Sequence, residues 1–176
     1  MSPLTQLPPE VSTLRSKLER FVLDRCVPAE LEYDRHMETR VGADRWSPDA
    51  IPPCVERLKS EAKALGLWNL FLPRPLPSHL PAELGPRPRG LTNREYGILC
   101  EVMGKSFLAP EVTNCGAPDT GNMEVLLHFG SRGQQTRWLV PLLRGEIRSA
   151  FLMTEPGVAS SDATNIETRL TKMVDG

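Results

Sequence analysis

Phe151-Leu152-Met153-Thr154-Glu155-Pro156-Gly157-Val158-Ala159-Ser160-Ser161-Asp162-Ala163-Thr164-Asn165 begins as an apolar run and breaks at a Thr-Glu-Pro turn. Proline holds the backbone extended there, and the small hydroxyl residues behind it can aim donors at a bound group. The apolar run reaches back to Ile147 and is short and poor in helix signals, so a buried strand is expected over 147–153. Upstream of Gly145 the pattern is helix after helix. The sequence therefore predicts a mainly α chain that turns into a sheet only near its end.

Moving upstream, Ser131-Arg132-Gly133-Gln134 reads as a capping box, and the helix it opens carries Trp138, Leu139, Leu142 and Leu143 to a stop at Gly145. Met123, Val125, Leu126, Leu127 and Phe129 mark a short helix ending at Gly130, preceded by a polar segment over 113–122. Thr92-Asn93-Arg94-Glu95 is a second capping box, behind which Tyr96, Leu99, Val102 and Met103 define a buried face, and Phe107 to Pro110 closes that unit. Prolines 73, 75, 77, 81, 86 and 88 exclude regular structure over 73–90, which reads as a surface loop. A helix starting at Pro52-Pro53 turns Cys54, Val55, Leu58, Ala62 and Leu65 inward until Gly66 stops it, and 67–72 is a short apolar segment. Val11, Leu14, Leu18, Phe21, Val22 and Cys26 give an amphipathic first helix, which Pro28 should kink or interrupt before a helical continuation over 29–35.

With 176 residues, 40% hydrophobic and 24% charged, the chain can form one domain, or one domain plus the opening piece of another. A net charge of -1 gives no reason to seek nucleic acid or an anionic membrane. Cys26, Cys54, Cys100 and Cys115 form no C-x-x-C pair and read as reduced, mostly buried thiols of an intracellular protein. No apolar span is long enough for a transmembrane segment, and the first nine residues are too short and proline-rich for a signal peptide, so any organelle address is expected outside this chain. His36, His79 and His128 share no metal-ligand spacing, and no metal site is expected. Trp46, Trp68 and Trp138 read as anchors of helix packing, and Glu155 as a structural residue of its turn.

Taken in order and spacing, Gly130-Ser131, Gln134, Trp138-Leu139, Pro141-Leu142, Gly145 and then Phe151-Leu152-Met153-Thr154-Glu155-Pro156 resemble the acyl-CoA dehydrogenase family. Ala117-Pro118-Asp119-Thr120-Gly121-Asn122-Met123-Glu124, together with the Thr-Glu-Pro-Gly-Val-Ala-Ser-Ser-Asp segment, is most similar to its large multidomain members, whose dehydrogenase portion follows a kinase-like domain. The resemblance implies an N-terminal helical domain over 1–146 and, over 147–176, the first strand or strands of a truncated middle β-domain. It implies FAD as cofactor, with Phe151 lining the edge of the flavin ring and Met153 and Thr154 contacting its pyrimidine end. The family more often has Thr-Glu-Pro-Gly-Ala-Gly-Ser-Asp, one residue shorter, so either Ser160 or Ser161 takes the ligand-facing position. Counting back from Asp162 selects Ser161, which would donate to the FAD pyrophosphate or the thioester substrate. Asp119, Thr120 and Asn122 would form a polar wall beside the acyl chain, with Thr120 touching substrate, which suits a long or oxygen-bearing acyl group.

The implied reaction is α,β-dehydrogenation of an acyl-CoA in fatty acid oxidation. A carboxylate takes the α-proton, the β-hydrogen leaves as hydride to the flavin, and an electron-transfer flavoprotein accepts the electrons. In the family that carboxylate comes from a C-terminal helical domain absent here, so no catalytic residue is expected in this chain. The chain then reads as an N-terminal fragment with little activity alone, of an enzyme that is a homo-oligomer at full length, in mitochondria or peroxisomes. Two alternatives stand beside it: a fragment of an acyl-CoA oxidase-type flavoprotein, and a non-catalytic truncated product that associates with full-length subunits through its unpaired strand.

Overall fold

A computed structural model describes residues 7–75, 90–159 and 161–172; most of the proline-rich loop, His79 and Ser160 lie outside the described residues. Helix α1 (Pro9–Phe21) buries Val11, Leu14, Leu18 and Phe21 on one face, as their spacing predicts. Pro28 does not interrupt it. A π-helical turn (Val22–Cys26) carries α1 directly into α2 (Val27–Glu38), and the Val27 N–H donates to the Val22 carbonyl five residues back. The widened turn makes room for the Pro28 ring, which would otherwise press on the carbonyl four residues earlier. Helix α3 (Pro53–Ala64) buries Cys54, Val55, Leu58 and Ala62, and is laced to the π-helical turn and to α2 by Arg25–Glu61 and Arg57–Glu32 pairs at 2.7 Å each. Leu65, expected inside, lies past the last helical residue and is exposed.

Gly66, at φ +69°, ends α3: its N–H donates to Lys63 O and the Leu67 N–H to Ala62 O, the paired bonds of a Schellman cap. The chain then threads the core, burying Leu67, Leu70, Phe71 and Leu72. Both capping boxes form. Thr92 and Glu95 open α4 (Asn93–Met103), which buries Leu99, Val102 and Met103 and half-buries Tyr96. Glu95 is itself buried and also receives the Arg74 guanidinium at 2.6 Å. Burial pushes its carboxyl up, but the Thr92 amide and hydroxyl and the Arg74 charge outweigh that and hold it below the usual carboxylate range.

A short α5 (Leu108–Val112) follows, then α6 (Asp119–Phe129), which starts four residues earlier than Met123 suggested. Val125 and Phe129 are exposed, because they fall on the far side of α6 from the buried Met123 and Leu127. Ser131 and Gln134 cap α7 (Arg132–Gln134), and a second π-helical turn (Gln135–Leu139) leads into α8 (Val140–Arg144). Here too the turn precedes a proline, Pro141. Gly145, at φ +72°, closes α8 with a second Schellman cap, donating to Leu142 O while the Glu146 N–H donates to Pro141 O.

Two further expectations are corrected. No strand forms over 147–153: no described residue pairs with the segment in a ladder, and the lone bridge among the described residues joins Pro73 to Leu91. Of the three tryptophans only Trp68 anchors helices. Trp138 is exposed, and Trp46, 87% exposed, lines a groove of about 520 Å³ with Tyr33, Met37, Ile51 and Phe107. All four cysteines are free thiols, Cys100 exposed and the others buried, and burial pushes Cys26 up to about 12.

A Cβ on Gly145 would sit 2.7 Å from the Trp68 ring, whereas one on Gly66 would meet nothing. Both alanine variants incur the left-handed backbone cost of about 1 kcal/mol, and Gly145→Ala adds about 1–3 kcal/mol of overpacking. Urea denaturation should therefore show at least twice the loss for Gly145→Ala; equal losses would mean the Trp68 contact is slack. Glu95→Gln should cost about 1–2 kcal/mol at pH 7. Because the folded carboxyl is depressed, that stability is present above about pH 4 and disappears as pH falls through the folded value. The wild-type denaturation midpoint should therefore approach that of Glu95→Gln on acidification, and a gap that persists at pH 2 would refute the assignment.

Candidate functional site

The peptide that leaves α8 is fixed at its root by an unusual helix end. Three terminal carbonyls of α8 have no partner within the helix. Asn114 Nδ2 donates to Leu142 O at 3.0 Å, Trp68 Nε1 and Asn69 Nδ2 both donate to Leu143 O at 2.7 and 2.8 Å, and Lys63 Nζ reaches Arg144 O at 2.8 Å. Asn114 also donates to Asn69 Oδ1 at 2.7 Å, and Lys63 Nζ stands 4.3 Å above the Trp68 ring. Asn69 and Asn114 are buried and both left-handed, at φ +57° and +56°, a conformation asparagine tolerates better than most residues. Neither was singled out by the sequence reading. The available signal was one polar residue inside the apolar run Leu67-Trp68-Asn69-Leu70-Phe71-Leu72.

Four residues beyond the α8 cap the peptide is gripped again. Asp119, 3% exposed at the start of α6, accepts from the Ser149 N–H at 2.8 Å, the Ser149 hydroxyl at 2.5 Å and Arg148 Nε at 2.5 Å. Asn122 Nδ2 donates to the same Ser149 hydroxyl oxygen at 2.8 Å. The other edge of the Arg148 guanidinium pairs with Glu111 of α5, which also takes Lys59 Nζ of α3 at 3.2 Å. Burial pushes the Asp119 carboxyl up, yet the Ser149 hydroxyl and amide and the Arg148 charge outweigh it and hold the group below the usual carboxylate range. Asp119 and Asn122 thus face the outgoing peptide, while Thr120 sits half-buried beside them on α6.

Past this grip the residues singled out from sequence lie along the surface. Phe151 is 68% and Leu152 97% exposed, Met153 is half-buried and Thr154 exposed. Among the described residues, the backbone N–H groups of 150–154 have no hydrogen-bond acceptor. Ser161 lies past the turn, exposed, on a loop that Glu155 closes: its carboxylate accepts from the Glu167 N–H at 3.0 Å, the Thr168 N–H at 2.8 Å and the Thr168 hydroxyl. Glu155 is structural, as read. Asp162 accepts from the Thr164 N–H at 3.0 Å and caps a 3₁₀ turn (Ala163–Asn165). So Phe151, Met153 and Thr154 share one irregular stretch, and Ser161 and Thr120 sit on separate elements. Among the described residues there is no cluster of metal-ligating side chains and no helix long and apolar enough to cross a membrane.

No family model matches the chain. Individual proteins do. The chain is 52% identical to mouse acyl-CoA dehydrogenase family member 10 over 97% of its own length and 15% of the relative's. It is 45% identical to human acyl-CoA dehydrogenase family member 11 over 86% of its length and 17% of the relative's. A solved structure from Mycobacterium abscessus, assigned as an acyl-CoA dehydrogenase, superposes with a TM-score of 0.73 at 46% identity, covering 90% of this chain and 37% of that one. The chain spans less than a fifth of the length of these mammalian relatives. With the helical order, both capping boxes and the 130–156 spacing in place, it belongs to the acyl-CoA dehydrogenase family and has the fold of that family's N-terminal helical domain.

Proposed function

We propose that this chain is the flavin-facing N-terminal part of an FAD-dependent acyl-CoA dehydrogenase, with residues 1–146 as its helical domain and 147–176 opening the middle β-domain. The observation that supports this most is the outgoing peptide: rooted at Gly145 and Ser149, with the N–H groups of 150–154 unbonded among the described residues. Such donors fit a flavin, whose reduction builds negative charge at its pyrimidine end. When bound, FAD supplies the acceptor for a hydride.

The roles of the chain's own residues follow. The Met153 and Thr154 backbone and the Thr154 hydroxyl stabilise that charge, Phe151 packs on the ring edge, and Ser161 donates to the pyrophosphate or the thioester. Thr120 borders the acyl chain of an acyl-CoA substrate in fatty acid oxidation. On this reading the α-proton base lies outside this chain, and the two carboxylates that hold Arg148 of the outgoing peptide, Asp119 and Glu111, serve as its ion-pair partners. An electron-transfer flavoprotein as acceptor, a homo-oligomer at full length, and a mitochondrial or peroxisomal setting belong to the same proposal. The exposure of Phe151 and Leu152 supports a second reading, in which the chain by itself associates with full-length subunits.

Purifying the full gene product should give a yellow protein that forms 2-enoyl-CoA and reduces an electron-transfer flavoprotein; hydrogen peroxide release instead would place it among the acyl-CoA oxidase-type flavoproteins. Thr154→Val should weaken FAD by about tenfold, the worth of one hydrogen bond to a charged group. A cooperatively folded protein that takes up no FAD would end the proposal.

A further inference from the structure

We propose that Asp119 is a positioning residue: its carboxylate sets the direction in which the 150–154 segment leaves the helical bundle, and so where Met153 and Thr154 present their donors. This rests on the flavin reading of that segment. Asp119 occupies the first turn of α6, where an acidic side chain ordinarily serves the helix's own free amides. Here it does not. Among the described residues, all three donors to its carboxylate come from Arg148 and Ser149, and Asn122 completes the grip on the Ser149 hydroxyl. A group that only started the helix would have no reason to be 3% exposed against a different segment.

The leverage is geometric. At no more than roughly 3.3 Å per residue, Met153 stands up to about 13 Å from Ser149, so a tilt of about 10° at Ser149 displaces Met153 by up to about 2 Å. Catalytic constellations tolerate only about 0.5 Å and 10–20°. The Gly145 cap fixes the root of the peptide, but a single anchor leaves rotation about it; Asp119 is the second anchor, and Arg148 ties that anchor through Glu111 and Lys59 to α5 and α3. The bundle thereby acts as one rigid mount for the outgoing segment.

The test uses the full gene product and two variants, Asp119→Asn, which keeps the shape and loses the charge, and the milder Ser149→Ala, which removes only the bridging hydroxyl. Hydrogen exchange by mass spectrometry should show peptides covering 147–154 exchanging at least tenfold faster in Asp119→Asn, with the thermal midpoint of the protein shifted by only a few degrees. The same variant should bind FAD about tenfold more weakly and alter the visible flavin band, as Thr154→Val does, with Ser149→Ala intermediate in both readouts. Unchanged exchange in both variants overturns the anchor. Faster exchange with a wild-type flavin band in Asp119→Asn, while Thr154→Val perturbs it, overturns the positioning role. If neither Asp119→Asn nor Thr154→Val affects flavin although exchange rises, it is the flavin reading of the segment that fails.

Discussion

The carbonyl groups at the end of α8 are the constraint on which the rest of the molecule turns. A helix end buried without partners costs about 1–3 kcal/mol for each unsatisfied group, and here the partners come from Lys63, Trp68, Asn69 and Asn114, between 28 and 81 residues away in sequence. None of these donors can be in place unless α3, the 67–72 segment and the turn after α5 have already come together. Asn69 and Asn114 must in addition hold left-handed backbones, which persist because several bonds converge on them: the Asn69 amide donates to Thr113 O as its side chain reaches Leu143 O. Gly145 is caught in the same knot, with Trp68 packed where a side chain would stand. The helical unit and the departure point of the outgoing peptide are therefore one structure.

Both long helical runs carry a Val-Pro step, Val27-Pro28 and Val140-Pro141, and both meet it with a π-helical turn ending just before the valine. In a regular α-helix, proline removes one hydrogen bond and collides with a carbonyl one turn back. A single i to i+5 turn relieves the collision while the helix continues. Sequence reading correctly found the conflict at Pro28 and expected a kink or interruption. What tips the balance is tertiary: Phe21, Val22, Cys26 and Ala29 all lie in one buried face that an interrupted helix could not keep continuous.

Features decided by neighbours in sequence were legible. Thr92 with Glu95, Ser131 with Gln134, and the glycine stops at 66 and 145 each depend on a few adjacent residues, and each formed as read. Features decided by distant partners were not. Val125 and Phe129 looked as apolar as Met123 and Leu127, and only the placement of α6 against the core separates them. Trp46 and Trp138 carry the same side chain as Trp68, but only Trp68 meets a helix end that needs its N–H. The short apolar run over 147–153 describes a segment able to pair, and pairing needs a second strand that the described residues do not contain. At the site, Asp119 and Asn122 read as part of a polar wall; that their partner would be Ser149 depended on contacts 27 to 30 residues apart.

The chemistry around the outgoing peptide favours placement over proton transfer. A carboxylate that removes a proton near neutral pH works best when its pKa is raised toward 7, which requires burial without compensating charge. Asp119 has the burial and lacks the other condition: two donors from Ser149 and the Arg148 guanidinium hold its carboxyl below the ordinary range. Glu111 shares Arg148 and also takes Lys59, so it is neutralised from two sides. Taken out of that network, either carboxylate would leave the Arg148 guanidinium with one of its two carboxylate partners. The same pairing that disqualifies these groups as bases makes them good anchors, because a carboxylate set among several charged and hydrogen-bonding donors keeps them in place. A helical unit built in this way holds a geometry and offers, at Asp119 and Glu111, no free base.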